Sequence, residues 1–154
     1  MVVNRCVEQG IYVVLLLSLE KDHNPLRSTE ISAILSVSDS YLKKILRKLV
    51  VSGIIASNPG KDGGFQLARS IEEITVYDVY SALEGKQCEF KTTGIGGRIF
   101  VHGKDFSKGE ERVASLFESA NDAFCDKLRT LTISELATRE LFLHGTVDFR
   151  AHIK

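Results

Sequence analysis

Between Asn4 and Leu19 the apolar residues, among them Val7, Ile11, Val14, Leu15 and Leu17, cover more than one face of a helical wheel. The chain therefore opens on a helix predicted to be largely buried. A polar break at Asp22, His23, Asn24 and Pro25 follows. Ser28 or Thr29 then caps a short second helix that carries Ile31, Ile34 and Leu35 on one side. After the connector Ser36-Val37-Ser38, apolar residues return at helical spacing. Leu42, Ile45, Leu46, Leu49 and Val50 predict a third helix over Asp39 to Val51, with Ser38 as its cap and Gly53 just beyond its end. The period then changes. Ile54 to Ser57 and Phe65 to Leu67 flank the turn-rich stretch from Asn58 to Gly64, which predicts a hairpin.

Thr75 and Asp78 form a capping-box pattern for a fourth helix that runs through Leu83 and stops at Gly85. From Lys86 to Lys108 no period holds. Glycines at 94, 96, 97 and 103 predict a loop there, with a short strand at Ile99 to Val101. Ser107 and Glu110 then open a helix of about twenty residues, whose apolar stripe is Val113, Leu116, Phe117, Ala120, Phe124 and Leu128. Thr132 and Glu135 cap a last helix bearing Leu136, Leu141 and Leu143, and the tail beyond Gly145 reads as frayed. The fold class that follows is mainly α with a small β-hairpin: a winged helix-turn-helix over residues 1–85, a flexible loop over 86–108 that is a candidate sensor, and a dimerisation helix with a C-terminal helix over 109–154.

Composition narrows the class. With 154 residues and 44% hydrophobic content the chain has the means to bury a core without disulfides or metals. The apolar run Ile11 to Leu17 is far shorter than a membrane span and is flanked by Glu8 and Glu20, and no secretory signal is recognisable. A soluble, cytoplasmic protein without membrane contact is expected. Cys6, Cys88 and Cys125 are odd in number and far apart, unlike a disulfide framework, which fits a reducing compartment. Net charge is zero but unevenly spread. Residues 1–70 hold nine basic and six acidic side chains, and Ser38 to Arg69 holds six basic against two acidic, which is where an anionic partner would be met.

The order helix, three-residue turn, helix, Gly-rich hairpin gives that charge a function. In a helix-turn-helix the second helix enters the DNA major groove, so its inner side must be apolar and its outer side must reach bases and phosphates. Opposite its apolar stripe the third helix carries Ser38, Ser40, Tyr41, Lys43, Lys44, Arg47 and Lys48. Ser38, Ser40, Tyr41 and Lys44 are candidates for base or groove contacts, and Lys43, Arg47, Lys48 and Lys61 for phosphates. Ser28 and Thr29 at the start of the second helix, and Gly63 in the wing, complete the candidate DNA-binding set. Double-stranded DNA is thus the expected partner; a winged helix used only for protein contacts is the alternative. No triad, metalloprotease or nucleotide-binding signature is present, the histidines lack metal-ligand spacing, and neither an enzyme nor a metal site is expected.

The run Tyr41-Leu42-Lys43-Lys44-Ile45-Leu46-Arg47-Lys48-Leu49-Val50, then Ser52-Gly53-Ile54-Ile55, then Gly60 to Gly64 with Phe65-Gln66-Leu67-Ala68-Arg69, resembles the Rrf2 family of bacterial winged-helix regulators. Glu73 to Tyr80, Leu83-Glu84-Gly85 and Leu131 to Leu136 continue the similarity over nearly the whole chain. The resemblance implies homodimers that bind roughly palindromic operators, mostly as repressors, with the long helix near Glu110 to Arg129 crossing its mate. Many relatives hold an iron-sulfur cluster on three closely spaced cysteines in the loop after the fourth helix. Here that loop has only Cys88, with His102 as the other soft ligand, and a cluster normally needs about four ligands, mostly thiolates. No cofactor is therefore expected. Cys88, flanked by Lys86 and Lys91, is instead a candidate redox group, and the resemblance also permits a small-molecule or protein effector at the loop.

Overall fold

The computed structural model describes residues 3–60, 63–85, 91, 93, 95–99, 106–137 and 147–152. Helix α1 spans Arg5–Leu19, and the side chain of Asn4 caps it by accepting from the Cys6 backbone N–H. It buries Val7, Val13, Val14, Leu16 and Leu17. Helix α2 (Ser28–Leu35) and helix α3 (Asp39–Val51) are joined by a turn in which Ser36 adopts a left-handed backbone, φ 53°. The inner face of α3 is Leu42, Ile45, Leu46 and Leu49, all buried. Its end is a paired-hydrogen-bond stop: with Gly53 at φ +69°, the Gly53 N–H donates to Val50 and the Ile54 N–H to Leu49, both at 3.0 Å.

Strands β1 (Ile55–Asn58) and β2 (Gly64–Leu67) pair antiparallel, Ile55 opposite Leu67 and Asn58 opposite Gly64. Leu26 forms an isolated antiparallel bridge to β2 by exchanging both backbone hydrogen bonds with Phe65, at 3.0 and 2.7 Å. A Cβ at Gly64 would lie 2.6 Å from the Leu26 carbonyl oxygen, so only glycine lets the backbone before α2 come this close to the wing. Helix α4 (Val76–Glu84) starts at the Thr75–Asp78 capping box, in which Asp78 accepts from the Thr75 N–H at 2.8 Å, and ends at Gly85. It packs on α1 at Gly10, where a Cβ would run into Leu83 and Val79. Helix α5 is a single turn, Gly96–Ile99, and α6 runs from Phe106 to Arg129.

The chain falls into two compact units, Met1–Gly85 with Leu128–Lys154, and Lys86–Lys127. This differs from the expected boundary at 109. The Val76 N–H donates to Leu131 at 2.9 Å and the Ile133 N–H to Ile74 at 2.8 Å, while Ile133 is fully buried, so the segment after α6 completes the winged-helix unit. The tail is not frayed at 147–152: Lys21 donates to the Val147 carbonyl at 2.9 Å, and Val147 donates to Leu19 at 3.1 Å.

Four local expectations also change. Arg27, not Ser28 or Thr29, holds the cap position of α2, because the Glu30 carboxylate reaches back to its N–H at 2.7 Å. Ile99 lies in α5 rather than in a strand. Ser107 sits inside α6, whose first described turn begins one residue earlier. The Thr132–Glu135 box opens only the 3₁₀ turn Ile133–Leu136, and Ala137 is extended (φ −142°, ψ 167°), which ends the helical path. Leu141 and Leu143 lie outside the described residues, as do Lys61, Cys88 and His102.

Candidate nucleic-acid interface

A helical turn takes about 3.6 residues, so positions 40, 44, 47 and 51 of α3 share a line directly opposite the buried set Leu42, Ile45, Leu46 and Leu49. On this outer line Ser40, Lys44 and Arg47 are exposed, and so is Val51, at 82%. At the leading end the Ser38 and Ser40 hydroxyls stand 2.9 Å apart, and Tyr41 is exposed at the flank. A pair of hydroxyls, a phenol and two cations on one helical surface can donate to base edges and to phosphate oxygens.

Two other cations of α3 are engaged within the protein. Lys43 forms an ion pair with Asp39 at 2.7 Å, and this hydrogen bond, then the Ser28 hydroxyl, holds the Asp39 carboxyl below the usual aspartate range. Ser28 is half-buried, whereas Thr29 beside it is exposed. The Lys48 ammonium donates to the carbonyl of Leu83 at the end of α4. Lys48, expected among the phosphate contacts, thus has an internal partner while its side chain stays exposed. A lysine stem is long enough to cross to a neighbouring helix, and helix C-terminal carbonyls attract cations. Gly63 is set by sterics, since a Cβ there would strike the backbone of Asn58 and Pro59.

Sequence reasoning missed Val51 and Arg150. Val51 continues the spacing 40, 44, 47, a signal open to the wheel but hidden by its apolar character. Arg150 donates through Nε to Glu30 at 2.9 Å and through Nη2 to the Pro25 carbonyl, and nothing local in the sequence marks it. Behind α3, the Cys6 thiol donates to Glu84 at 3.3 Å; burial first, then this hydrogen bond, pushes its pKa up, which disfavours the thiolate.

In the second unit the predicted stripe is present on α6. Val113, Leu116, Phe117 and Ala120 are exposed on the single chain, Leu116 at 69%, and Phe124 is half-buried. Leu128, at the start of the returning segment, is half-buried too.

The profile of the Rrf2 family, described as an iron-dependent transcriptional regulator, matches residues 3–139. The chain belongs to the Rrf2 family. It is similar to YwgB of Bacillus subtilis, whose name places it among HTH-type transcriptional regulators, at 44% identity over 94 residues, 61% of this chain and 60% of that one. YffB of Lactococcus lactis, similarly named, is 41% identical over 88 residues, 57% of this chain and 56% of its own. The matches thus span somewhat over half the length of these two relatives. The HTH-type transcriptional regulator IscR of Pectobacterium atrosepticum is 27% identical, with 91% of this chain and 83% of that one covered. Among solved structures, CymR, the global cysteine regulator of B. subtilis, superposes with a TM-score of 0.64 at 20% identity, over 90% of this chain and 97% of that chain, which shows the shared fold.

The description of the Rrf2 family names iron. Among the described residues no group of three or more His, Cys, Asp or Glu side chains is placed to hold a metal ion, and the Cys6 thiol is directed to a carboxylate. Cys88 and His102, the soft ligands of the loop after α4, lie outside the described residues. No helix among the described residues is long and apolar enough to cross a membrane.

Proposed function

We propose that this Rrf2 protein is a homodimeric, sequence-selective DNA-binding repressor that occupies a roughly palindromic operator. The observation that carries the reading is the outer line of α3, where Ser40, Lys44 and Arg47 are exposed beside the Ser38–Ser40 hydroxyl pair. Short polar groups at the leading end of a groove-entering helix read bases, and cations farther along hold phosphates. The exposed stripe Val113, Leu116, Phe117 and Ala120 supports a second copy as its cover, because a continuous apolar helix face is costly to leave in water. A two-fold dimer presents two α3 helices, and half-site spacing then mirrors its symmetry.

Cys88 and the loop 86–108 are where a redox or metabolite signal would enter this reading. The test is binding of the purified protein to DNA from upstream of its own gene and to random DNA, in reductant and after mild thiol oxidant. Selective binding is the expected result, and equal affinity for both DNAs refutes it. If oxidation releases the operator, Cys88→Ser should remove that response; a full response in the variant excludes Cys88 as its origin.

A further inference from the structure

We propose that Arg150, although far from the helix-turn-helix in sequence, is a contact for a DNA backbone phosphate, placed at the root of the wing by the C-terminal segment. The proposal rests on the DNA-binding reading above and extends it to a site outside α3.

A polar cleft of about 260 Å³ is lined by Asn24, Pro25, Arg27, Glu30, Gly63 and Arg150. All belong to one compact unit. Gly63 comes from the wing and Glu30 from the first turn of α2, and the Leu26–Phe65 backbone pair ties these two elements together. In a winged helix the wing and the start of the helix before the recognition helix both approach the sugar-phosphate backbone, so the cleft between them lies in the path of a strand.

Arg150 is held in place before any ligand arrives. Its Nε donates to Glu30 Oε1 at 2.9 Å, and Nη2 donates to the Pro25 carbonyl and, at 3.5 Å, to Glu30 Oε2. Among the described residues Nη1 takes no partner, and the side chain is 42% exposed. With Nε and Nη2 engaged, the N–H donors of Nη1 remain for a single phosphate oxygen, and the guanidinium keeps its charge. Arg27 lines the same cleft as a second cation beside Glu30, and the Glu20 and Asp148 carboxylates also act on Arg150. The backbone carrying Arg150 is itself anchored, because the Phe149 N–H donates to the buried Glu20 carboxylate at 3.3 Å. The polar lining, the exposed guanidinium and the place between wing and α2 favour a phosphodiester over an apolar ligand.

The test measures affinity of the full-length protein for duplex DNA from upstream of its own gene across a salt series, for wild type, Arg150→Gln, Arg150→Lys and Lys44→Ala. Each phosphate contact contributes about 0.9 to the slope of log affinity against log salt. Arg150→Gln should flatten the slope by about 0.9 per protomer, so the advantage of wild type over the variant shrinks roughly 3.5-fold per protomer when salt is raised fourfold. Arg150→Lys should keep the wild-type slope. Thermal unfolding of each variant is followed alongside. A lower melting temperature with an unchanged slope overturns the proposal and leaves Arg150 as a strut only. An unchanged slope in Arg150→Gln with a flattened one in Lys44→Ala overturns it while the DNA-binding reading stands; absence of salt-sensitive binding by wild type overturns both. Titration with inorganic phosphate at matched ionic strength separates the sources of the anion: phosphate binding lost in Arg150→Gln without a change in DNA slope assigns the cleft to a small anion and overturns the proposal.

Discussion

Replacing Ile133 by alanine tests the unexpected allegiance of the segment after α6. Ile133 is fully buried and its N–H is bonded to Ile74, inside the unit that holds α3 and the wing. The substitution removes three buried carbons, worth about 0.8 kcal/mol each in lost transfer free energy. A cavity left between Ile74 and the 3₁₀ turn raises the cost to roughly 3 kcal/mol, within the range of about 2–5 kcal/mol for such truncations. Against a total stability of about 5–15 kcal/mol this is large, and it corresponds to a fall of roughly 6–12 °C in melting temperature. Leu136→Ala, three residues on and 46% exposed, is the control and should cost less than about 0.5 kcal/mol. The assay is thermal and urea unfolding by circular dichroism at one fixed protein concentration, because dimerisation makes stability depend on concentration. If Ile133→Ala matched Leu136→Ala, the packing of this segment onto the winged helix would be refuted.

Lys48→Met should lower stability by about 1 kcal/mol, through loss of the cation on the Leu83 carbonyl, and leave the salt slope of DNA binding unchanged; a flattened slope would return Lys48 to the DNA surface. Phe117→Asp places a charge in the exposed stripe of α6 and should shift sedimentation from dimer to monomer, whereas a persistent dimer would move the interface elsewhere. Acid should destabilise the fold. Burial alone would raise the carboxyl of Asp78, but the Thr75 N–H and hydroxyl, with Arg69, hold it below its ordinary 3.8. Burial acts in the same upward sense on Glu30, and the Arg27 N–H and Arg150 outweigh it to hold that carboxyl below 4.5. The contribution of both groups is full above those ordinary values and is lost as pH falls through the lowered ones. Glu20 has the opposite sign: burial raises it, so its contribution is present below 4.5 and is lost as pH rises through the raised value. Glu20→Gln should therefore improve the melting temperature at neutral pH relative to acid, read from melting curves across the range, and an identical pH profile in wild type and variant would count against this account.

The parts of the fold legible in the sequence are those whose cause is local. Leu42, Ile45, Leu46 and Leu49 at helical spacing, Ser38 before them and Gly53 after them contain everything that defines α3, and its outer line follows from the same wheel. The wing reads from the turn between two β-branched or aromatic runs for the same reason. Pairings between distant segments leave no such trace: nothing near Val147 or Thr132 announces Glu20 or Thr75 as its partner. The Thr132–Glu135 box marks where a helical turn starts but says nothing of how far it runs, which depends on what Ile133 is buried against. The wheel does not reveal the Leu83 partner of Lys48, because it gives the direction of a Cα–Cβ bond, whereas the ammonium lies at the far end of a flexible stem that finds a carbonyl on α4.

The closure of the first unit by residues beyond 128 also sets an order of events on the ribosome. Residues 1–85 emerge first, yet Ile74 lacks Ile133 and Leu19 lacks Val147 until those later residues are made. At synthesis rates of about 5–20 residues per second, the interval between Gly85 and Val147 is roughly 3–12 s. Throughout it the nascent polypeptide carries the whole of α3 while the apolar face at Ile74 remains wet, a surface that chaperones and proteases are equipped to bind. Synthesis of the segment from Leu131 to Val147, and not the completion of α3, is thus the step at which the unit carrying α3 becomes whole.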